Sequence, residues 1–262
     1  MRHRTFKQIV IGTIFLGFWA GLFGLIFWAT YTPPPPAPPT PRSAQAVEVV
    51  SSQIISAVSG KGDLVGLIRN PNSDAGTVNV KFEFKVMIDG QVLKTLSGET
   101  FLLPHEQKYV VLFNQDIPTG SAVSLTVKNP EWTFVDSTFS QPSFVQINQN
   151  SKIIPGNPDT YDYKGVLANQ SDLDYYKVEV TAIGLNSQGD LVGIGKTFLG
   201  SLKSQERREF TTQWPLPRGE QVARVQVFPD INLFLSDAVE KRAGDQTLKD
   251  VPQYSPRSLN DT

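Results

Sequence analysis

An uncharged apolar run fills residues 9–30 near the N-terminus and constrains the chain more than any other feature of its sequence. At about 1.5 Å per residue, a helix of this length covers the roughly 30 Å hydrocarbon core of a bilayer. Three basic residues precede the run: Arg2, Arg4 and Lys7. No acidic residue occurs before Tyr31. The positive-inside rule therefore predicts a cytoplasmic flank over residues 1–8, a transmembrane helix over 9–31, and an extracytoplasmic location for the remainder.

A cleaved signal peptide is the alternative interpretation of this segment. Signal peptides usually have an apolar region of about 7 to 15 residues, followed by a small-x-small cleavage site. Here the run is longer and ends with Trp28 and Tyr31, and no convincing cleavage site precedes Pro33. These differences favour a retained anchor in a single-pass protein of the cell membrane.

Three glycines fall on one face of the predicted helix: Gly17, Gly21 and Gly24. Small residues let two helix backbones approach closely, so this face is a candidate helix–helix contact, in a homodimer or with another membrane subunit. Glycine is also common in membrane helices that make no such contact. The sequence leaves both interpretations open.

A proline-rich linker over residues 32–46 follows the helix, and its PPPPAPPTP run favours a semi-rigid polyproline II spacer. The sequence then repeats itself at an offset of 99 to 100 positions, so that residues 66–70 (GLIRN) recur as 165–169 (GVLAN). We therefore predict two similar domains, over residues 47–136 and 143–234.

Each repeat has the pattern of antiparallel strands. From Val78 to Ile88 apolar and polar residues alternate with a period of two, and the run ends at Asp89-Gly90, a strong hairpin signal. Turn residues recur at short intervals, which is typical of sandwiches. The predicted fold class is all-β, with two tandem immunoglobulin-like antiparallel β-sandwiches after the transmembrane helix. The alternation lapses near Leu235, so we expect a disordered tail over residues 235–262, with a short helix near 236–242.

The composition excludes several classes of chemistry. The chain has no cysteine, so it has no disulfide, thiolate nucleophile or cysteine-bound zinc. Its net charge is −1 and no basic stripe is visible, so no nucleic acid is expected as a partner. Gly195-Lys196-Thr197 lacks the earlier glycine of a P-loop, and His105 has no triad spacing around it. We predict no catalytic residue, no metal site and no cofactor.

Three further features have structural interpretations that compete with functional ones. Asp159, Asp162 and the aspartates near 172–174 lack the regular ligand spacing of a calcium loop, which favours solvated turns. The sequence Asn169-Gln170-Ser171 matches a glycosylation sequon, but Asn70, its counterpart in the first repeat, is not part of one. A turn role explains both asparagines. Two tryptophans are expected in the core or at a sheet edge rather than as ligand platforms: Trp132 and Trp214.

The segments 66–73 and 98–106, joined by the alternating strand and its Asp89-Gly90 turn, carry a family resemblance. Together with their second copies they resemble the LEA14-like (water-stress) and FxLYD group of immunoglobulin-like β-sandwich domains, here as a tandem on one N-terminal membrane anchor. The resemblance implies a bacterial envelope protein without catalytic residues. We therefore expect a non-enzymatic extracytoplasmic protein that presents strand edges and loops to an envelope protein or surface polymer. The alternative is an accessory subunit of an export, pilus or transport assembly, docked through the glycine face.

Overall fold

The computed structural model describes residues 2–31, 42–135 and 141–240. The chain forms two compact units, with the boundary between residues 43 and 44. The first unit contains the N-terminal helix and the second contains all of the strands. The PPPPAPPTP run and the predicted tail beyond residue 240 lie outside the described residues.

The helix α1 spans Arg2–Thr30, so it begins earlier than the sequence pattern predicts. Arginine and lysine are good helix formers, and the basic flank can continue the helix although it is too polar for hydrocarbon. Within α1, Ile11–Thr30 is long and apolar enough to cross a membrane. Its large apolar side chains have no core to pack into, and Trp28 is 80% exposed. These properties suit a membrane span, and a signal helix shares them.

The first sandwich consists of the strands before residue 135. They are β1 (Glu48–Val58), β2 (Lys61–Arg69), β3 (Ala75–Ile88), β4 (Gln91–Leu102), β5 (Gln107–Asp116), β6 (Ala122–Val127) and β7 (Thr133–Phe134). One sheet has the order β1-β2-β5 and the other β4-β3-β6, with β7 paired to the start of β3. Leu64 and Val110 on the first sheet meet Phe82 and Phe84 on the second in a closed apolar core.

The second sandwich consists of the strands after residue 141. They are β8 (Phe144–Ile154), β9 (Thr160–Asn169), β10 (Asp174–Tyr175), β11 (Val178–Leu185), β12 (Leu191–Leu199), β13 (Arg207–Pro215), β14 (Arg224–Asp230) and β15 (Val239–Glu240). The sheets have the orders β8-β9-β13 and β12-β11-β14, the same arrangement as in the first sandwich. Tyr163, Phe210 and Trp214 fill its core with Val180.

The predicted all-β fold class is confirmed. The Asp89-Gly90 turn is present, with positive φ at both residues and Ile88 paired to Gln91 across a two-residue loop. All strand pairs within the described ranges are antiparallel. The exact boundaries of the two repeats, 47–136 and 143–234, stay a prediction.

The same asparagine-centred turn closes one strand in each sandwich. The side-chain amide of Asn70 donates to the carbonyls of Ala75 (2.7 Å) and Leu103 (2.8 Å), and that of Asn169 donates to Leu173 (2.8 Å). In both turns the asparagine Oδ1 accepts the backbone N–H two residues later, at 3.0 Å. The expected local role of these asparagines is confirmed, because their side chains replace the strand hydrogen bonds that end there.

An apolar cluster packs the two sandwiches against each other. Ile55 and Val65, on the outer face of the β1-β2-β5 sheet, contact a patch on the outer face of the β12-β11-β14 sheet that includes Ile183 and Ile194. The Gln53 side chain adds a hydrogen bond of 2.9 Å to the Leu191 carbonyl. Both sandwiches therefore belong to one compact unit.

The segment after β14 crosses this junction. Phe234 packs so closely on Gly76 that a Cβ there would lie 2.4 Å from its ring, so only glycine fits at that position. Residues 236–240 then form a turn and the short strand β15, which pairs with β10. Residues 236–240, the described part of the segment in which a short helix near 236–242 was expected, are not helical, because Val239 pairs with Tyr175 of β10.

Candidate functional site

The glycines of α1 form a bare strip on the helix. A Cβ built on Gly17, Gly21 or Gly24 would meet no atom within 4 Å. The three residues lie on one face because they are four and three positions apart. Such a strip is the shape that a second helix backbone needs for close approach. The predicted helix–helix contact itself stays a prediction.

A cleft of about 570 Å³ opens in the first sandwich between β3 and the segment that joins β6 to β7. Lys128 donates its N–H to the Lys81 carbonyl at 2.9 Å, and pairing with β3 resumes only where Thr133 meets Gly76. Pro130 lies in the gap and has no N–H to continue the ladder. Among the described residues, part of β3 therefore has no strand neighbour on this side.

The cleft combines an aromatic wall with polar groups. Half-buried Trp132 lines one side, and Asn79, Asn129 and Glu131 contribute amide and carboxylate groups. Asn79 is held in place by a hydrogen bond of 2.9 Å to the Glu99 carboxylate. Binding sites typically pair a few placed polar groups with an aromatic surface. The sequence prediction placed Trp132 in the core or at an edge, and the structure places it at this edge.

The cleft is bordered by an exposed ion pair. Lys128 Nζ lies 2.7 Å from Glu83 Oε1, and this hydrogen bond holds the pKa of Glu83 below its ordinary value. Lys81 adds a second cation to the lining. The rim therefore presents charge of both signs and does not select an ionic partner of one sign.

A buried charged cluster lies where the sandwiches meet. Lys108 on β5 is only 5% exposed, and its Nζ pairs with Asp230 on β14 and lies 3.3 Å from Glu106 Oε1. The same Nζ donates to the Phe101 carbonyl (3.2 Å) and lies 3.0 Å from the centre of the Phe101 ring. Sequence reasoning missed this cluster. The signal in the sequence was Lys108 at the position of β5 that alternates with the apolar residues Val110 and Leu112.

Burial, above all, raises the pKa of Glu106 well above its ordinary value, and the nearby Asp230 carboxylate adds to this while Lys108 opposes it. Two carboxylates thus share one lysine in a site with little water. The arrangement favours a proton on Glu106, so that the cluster approaches neutrality at moderately acid pH.

The raised pKa makes a pH-dependent contribution to stability. The native state keeps the Glu106 proton above pH 4.5, where the unfolded chain loses it, so the free energy of unfolding falls as pH rises from there. We expect the Glu106→Gln variant to gain stability relative to the wild type as pH rises from 4 to about 7, measured by urea unfolding. A difference that stays constant over this range would contradict the assignment.

The matched control is the equivalent glutamate of the second sandwich. Backbone hydrogen bonding from Lys203 lowers the pKa of Glu206, so its contribution is present above the ordinary pKa and is lost as pH falls. The Glu206→Gln variant should therefore lose stability relative to the wild type as pH rises. The two variants should show slopes of opposite sign, for Glu206→Gln at and below about pH 4.5 and for Glu106→Gln above it.

The motifs weighed in the sequence have structural roles. Lys196 lies on β12 and pairs with Glu179 at 2.6 Å, so the Gly195-Lys196-Thr197 run is a strand and no P-loop. His105 lies in an exposed turn with φ of 57°. Asn169 is 1% exposed and its amide is fully engaged, which leaves no accessible nitrogen for a glycan.

Of the aspartates expected in solvated turns, Asp159 and Asp172 are exposed, whereas Asp162 and Asp174 are buried. Asp162 accepts a hydrogen bond of 2.7 Å from Gln213, and Asp174 accepts one of 2.7 Å from the Ser204 N–H. Both carboxylates are buried and bonded to protein, so they are not solvated. Within the ranges that the structure describes, no group of three or more His, Cys, Asp or Glu residues is placed to hold a metal ion.

The fold and these surfaces define a β-sandwich protein with one apolar N-terminal helix. No protein family profile matches the chain, and no curated protein matches it. A red sea bream transglutaminase structure shares 12% identity over 72% of this chain, with a TM-score of 0.24, and this chain covers 29% of its length. An anti-sigma factor domain-containing protein shares 10% identity over 64% of this chain and 79% of its own, with a TM-score of 0.18. Similarity at this level carries no inference about activity.

Proposed function

We propose that this chain is a membrane-anchored, non-enzymatic binding protein, with its two β-sandwiches on the extracytoplasmic side. The anchor, the basic flank and the positive-inside rule support that orientation. The tandem resemblance to LEA14-like and FxLYD domains supports the same class, since the resemblance implies no catalytic residues. Integral attachment through one span then holds the β unit at the membrane.

The observation that carries the binding role is the open cleft beside Trp132. An extended partner, either an envelope protein segment or a surface polymer, fits a cleft that is open along a strand. The cleft offers the aromatic surface of Trp132 and the polar side chains of Asn79 and Asn129. The N–H and carbonyl of Asn79 are already bonded to the Thr77 hydroxyl, which a pairing strand would have to displace. Aromatic residues of this kind often carry most of the binding energy of an interface.

The test compares two solvent-accessible aromatic residues. Partners are crosslinked in intact cells, co-purified in detergent and identified by mass spectrometry. We expect Trp132→Ala to lower partner recovery about tenfold, the effect of losing roughly 1.4 kcal/mol at an interface. The control, Tyr176→Ala, removes a 56% exposed aromatic from the second sandwich and should leave recovery unchanged. Equal recovery with both variants would remove the cleft from the proposal.

The alternative function is an accessory subunit of an export, pilus or transport assembly. The bare strip at Gly17, Gly21 and Gly24 favours it, because the strip allows close helix docking. Under this alternative, Gly17→Leu with Gly21→Leu should abolish co-purification, whereas the cleft proposal expects no change. A chain without residues 43–262 separates the two further, since it keeps its partner only if α1 alone recruits it.

A further inference from the structure

The second sandwich has one long strand with a free edge. β8 ends its sheet in the order β13-β9-β8, and it pairs with β9 along its whole length from Phe144 to Ile154. Among the described residues no strand pairs with its outer edge. Such an edge carries unpaired N–H and C=O groups and is a template for another chain.

The equivalent strand of the first sandwich is covered. Ser52 on β1 donates to the Val123 carbonyl of β6 at 3.4 Å, and Gln53 donates to Leu191 of the second sandwich. At the matching position of the second sandwich, β8 and the start of β14 line an open cleft of about 440 Å³. The same fold thus closes this side in one copy and leaves it open in the other.

β8 is held rigidly despite its exposure. The Tyr161 hydroxyl donates to Ser151 Oγ at 2.9 Å, and the Tyr163 hydroxyl donates to Gln149 Oε1 at 3.1 Å. A bulge between Gln146 and Asn148 shifts the register to β9 once, and the strand then continues unbroken to its end. A strand fixed in this way has little entropy to lose when another strand pairs with it.

Apart from Ile147, which lies at the bulge and has no counterpart, the residue pattern of β8 is similar in both directions from its centre. Asn148 and Asn150 flank Gln149, and apolar residues occupy both ends, at 144–145 and 153–154. In an antiparallel pairing of two copies about Gln149, the polar centre meets itself, and Phe144 at one end of the strand faces Ile153 at the other end. A two-fold interface requires this self-complementarity, because each residue meets its mate from the same surface.

The charge pattern agrees with self-pairing. Lys152 is the only charged residue of β8, and because the bulge shifts the register by one residue it faces Val145 of the second copy, not another lysine. Like charges facing each other across strands destabilise a pair, and here none do. Half-buried Phe144 and exposed Ile153, which lie on the same face, would be covered by each other. We propose that two copies of this chain associate through antiparallel pairing of β8 about Gln149.

The absence of cysteine makes a direct test available. In the purified full-length chain, Gln149→Cys places one thiol opposite its own copy, where facing Cβ atoms are about 5 Å apart. A short thiol-reactive crosslinker should then give a covalent dimer at least about tenfold more efficiently than with Gln91→Cys, an exposed control on β4. Equal yields at the two positions would overturn the proposal.

Charge variants distinguish β8 pairing from a dimer contact made by α1. Two variants are made in the Gln149→Cys chain: one with Asn148→Lys and Asn150→Lys, and one with Asn148→Glu and Asn150→Glu. Each variant alone should give about tenfold less crosslinked dimer, because like charges then meet at the centre of the strand pair. Mixing the Lys and Glu preparations should restore the yield. Undiminished crosslinking in the like-charged preparations, or no recovery on mixing, would contradict β8 pairing.

Discussion

Replacement of Lys108 with alanine is expected to lower the free energy of unfolding by about 3–5 kcal/mol. The side chain is nearly fully buried between Glu106 and Asp230, and its removal leaves a buried carboxylate without a cation. Breaking a buried pair from one side is more damaging than removing the whole pair, because the remaining charge keeps its desolvation penalty. Urea unfolding of the full-length chain in detergent measures the change.

The second sandwich supplies the control for this prediction. Arg208 pairs with Glu206 at the equivalent position, but there the side chains are 37% and 29% exposed. Arg208→Ala should cost less than about 1 kcal/mol, as is usual for solvent-accessible pairs. A triple replacement of Lys108 with Met, Glu106 with Gln and Asp230 with Asn should recover most of the loss. If it does not, packing rather than unpaired charge explains the effect.

Replacement of Trp214 with alanine is expected to cost about 3–5 kcal/mol, the range for large aromatic residues in a core. The indole stacks on Tyr161 with ring centres 4.9 Å apart, and it lies so close to Gly193 that a Cβ there would be 1.9 Å from Nε1. The cavity left by alanine cannot close, because Gly193 and Gly184 offer no side chains to fill it.

Trp132 is the matched comparison for Trp214. It is half-buried at the cleft, so Trp132→Ala should cost roughly 1 kcal/mol or less. Trp214→Phe should fall between the two, since it keeps a ring over the glycines. Thermal unfolding of the three variants checks the order. If Trp132→Ala lowers stability by much more than this, a fall in partner recovery with that variant would result from unfolding and not from loss of the cleft.

The two tryptophans illustrate what sequence patterns cannot separate. Both were expected in the core or at a sheet edge. Trp214 is in the core because Gly193 and Gly195 on the facing sheet make room for it. Trp132 is at an edge because the chain leaves β3 near Pro130. Whether each tryptophan lies in the core or at an edge depends on residues from other strands. The local hydrophobic period of the sequence does not reveal those residues.

Local sequence patterns are enough to specify the apolar N-terminal helix, the strand alternation, the Asp89-Gly90 turn and the turn role of Asn70 and Asn169. Each of these depends on local propensity or on a short period, so nearby residues suffice to specify it. The shared strand order of the sandwiches also agrees with the repeat at 99 to 100 positions.

The differences between the two copies depend on tertiary contacts. In β2 the neighbours Leu64 and Val65 are both buried, one in the first core and one against the second sandwich. Alternation shows that a strand has two faces, but not what covers the second. The burial of Lys108, the gap beside Trp132 and the free edge of β8 arise from contacts between segments far apart in the chain. Those contacts, rather than local pattern, place the surfaces that a partner can reach.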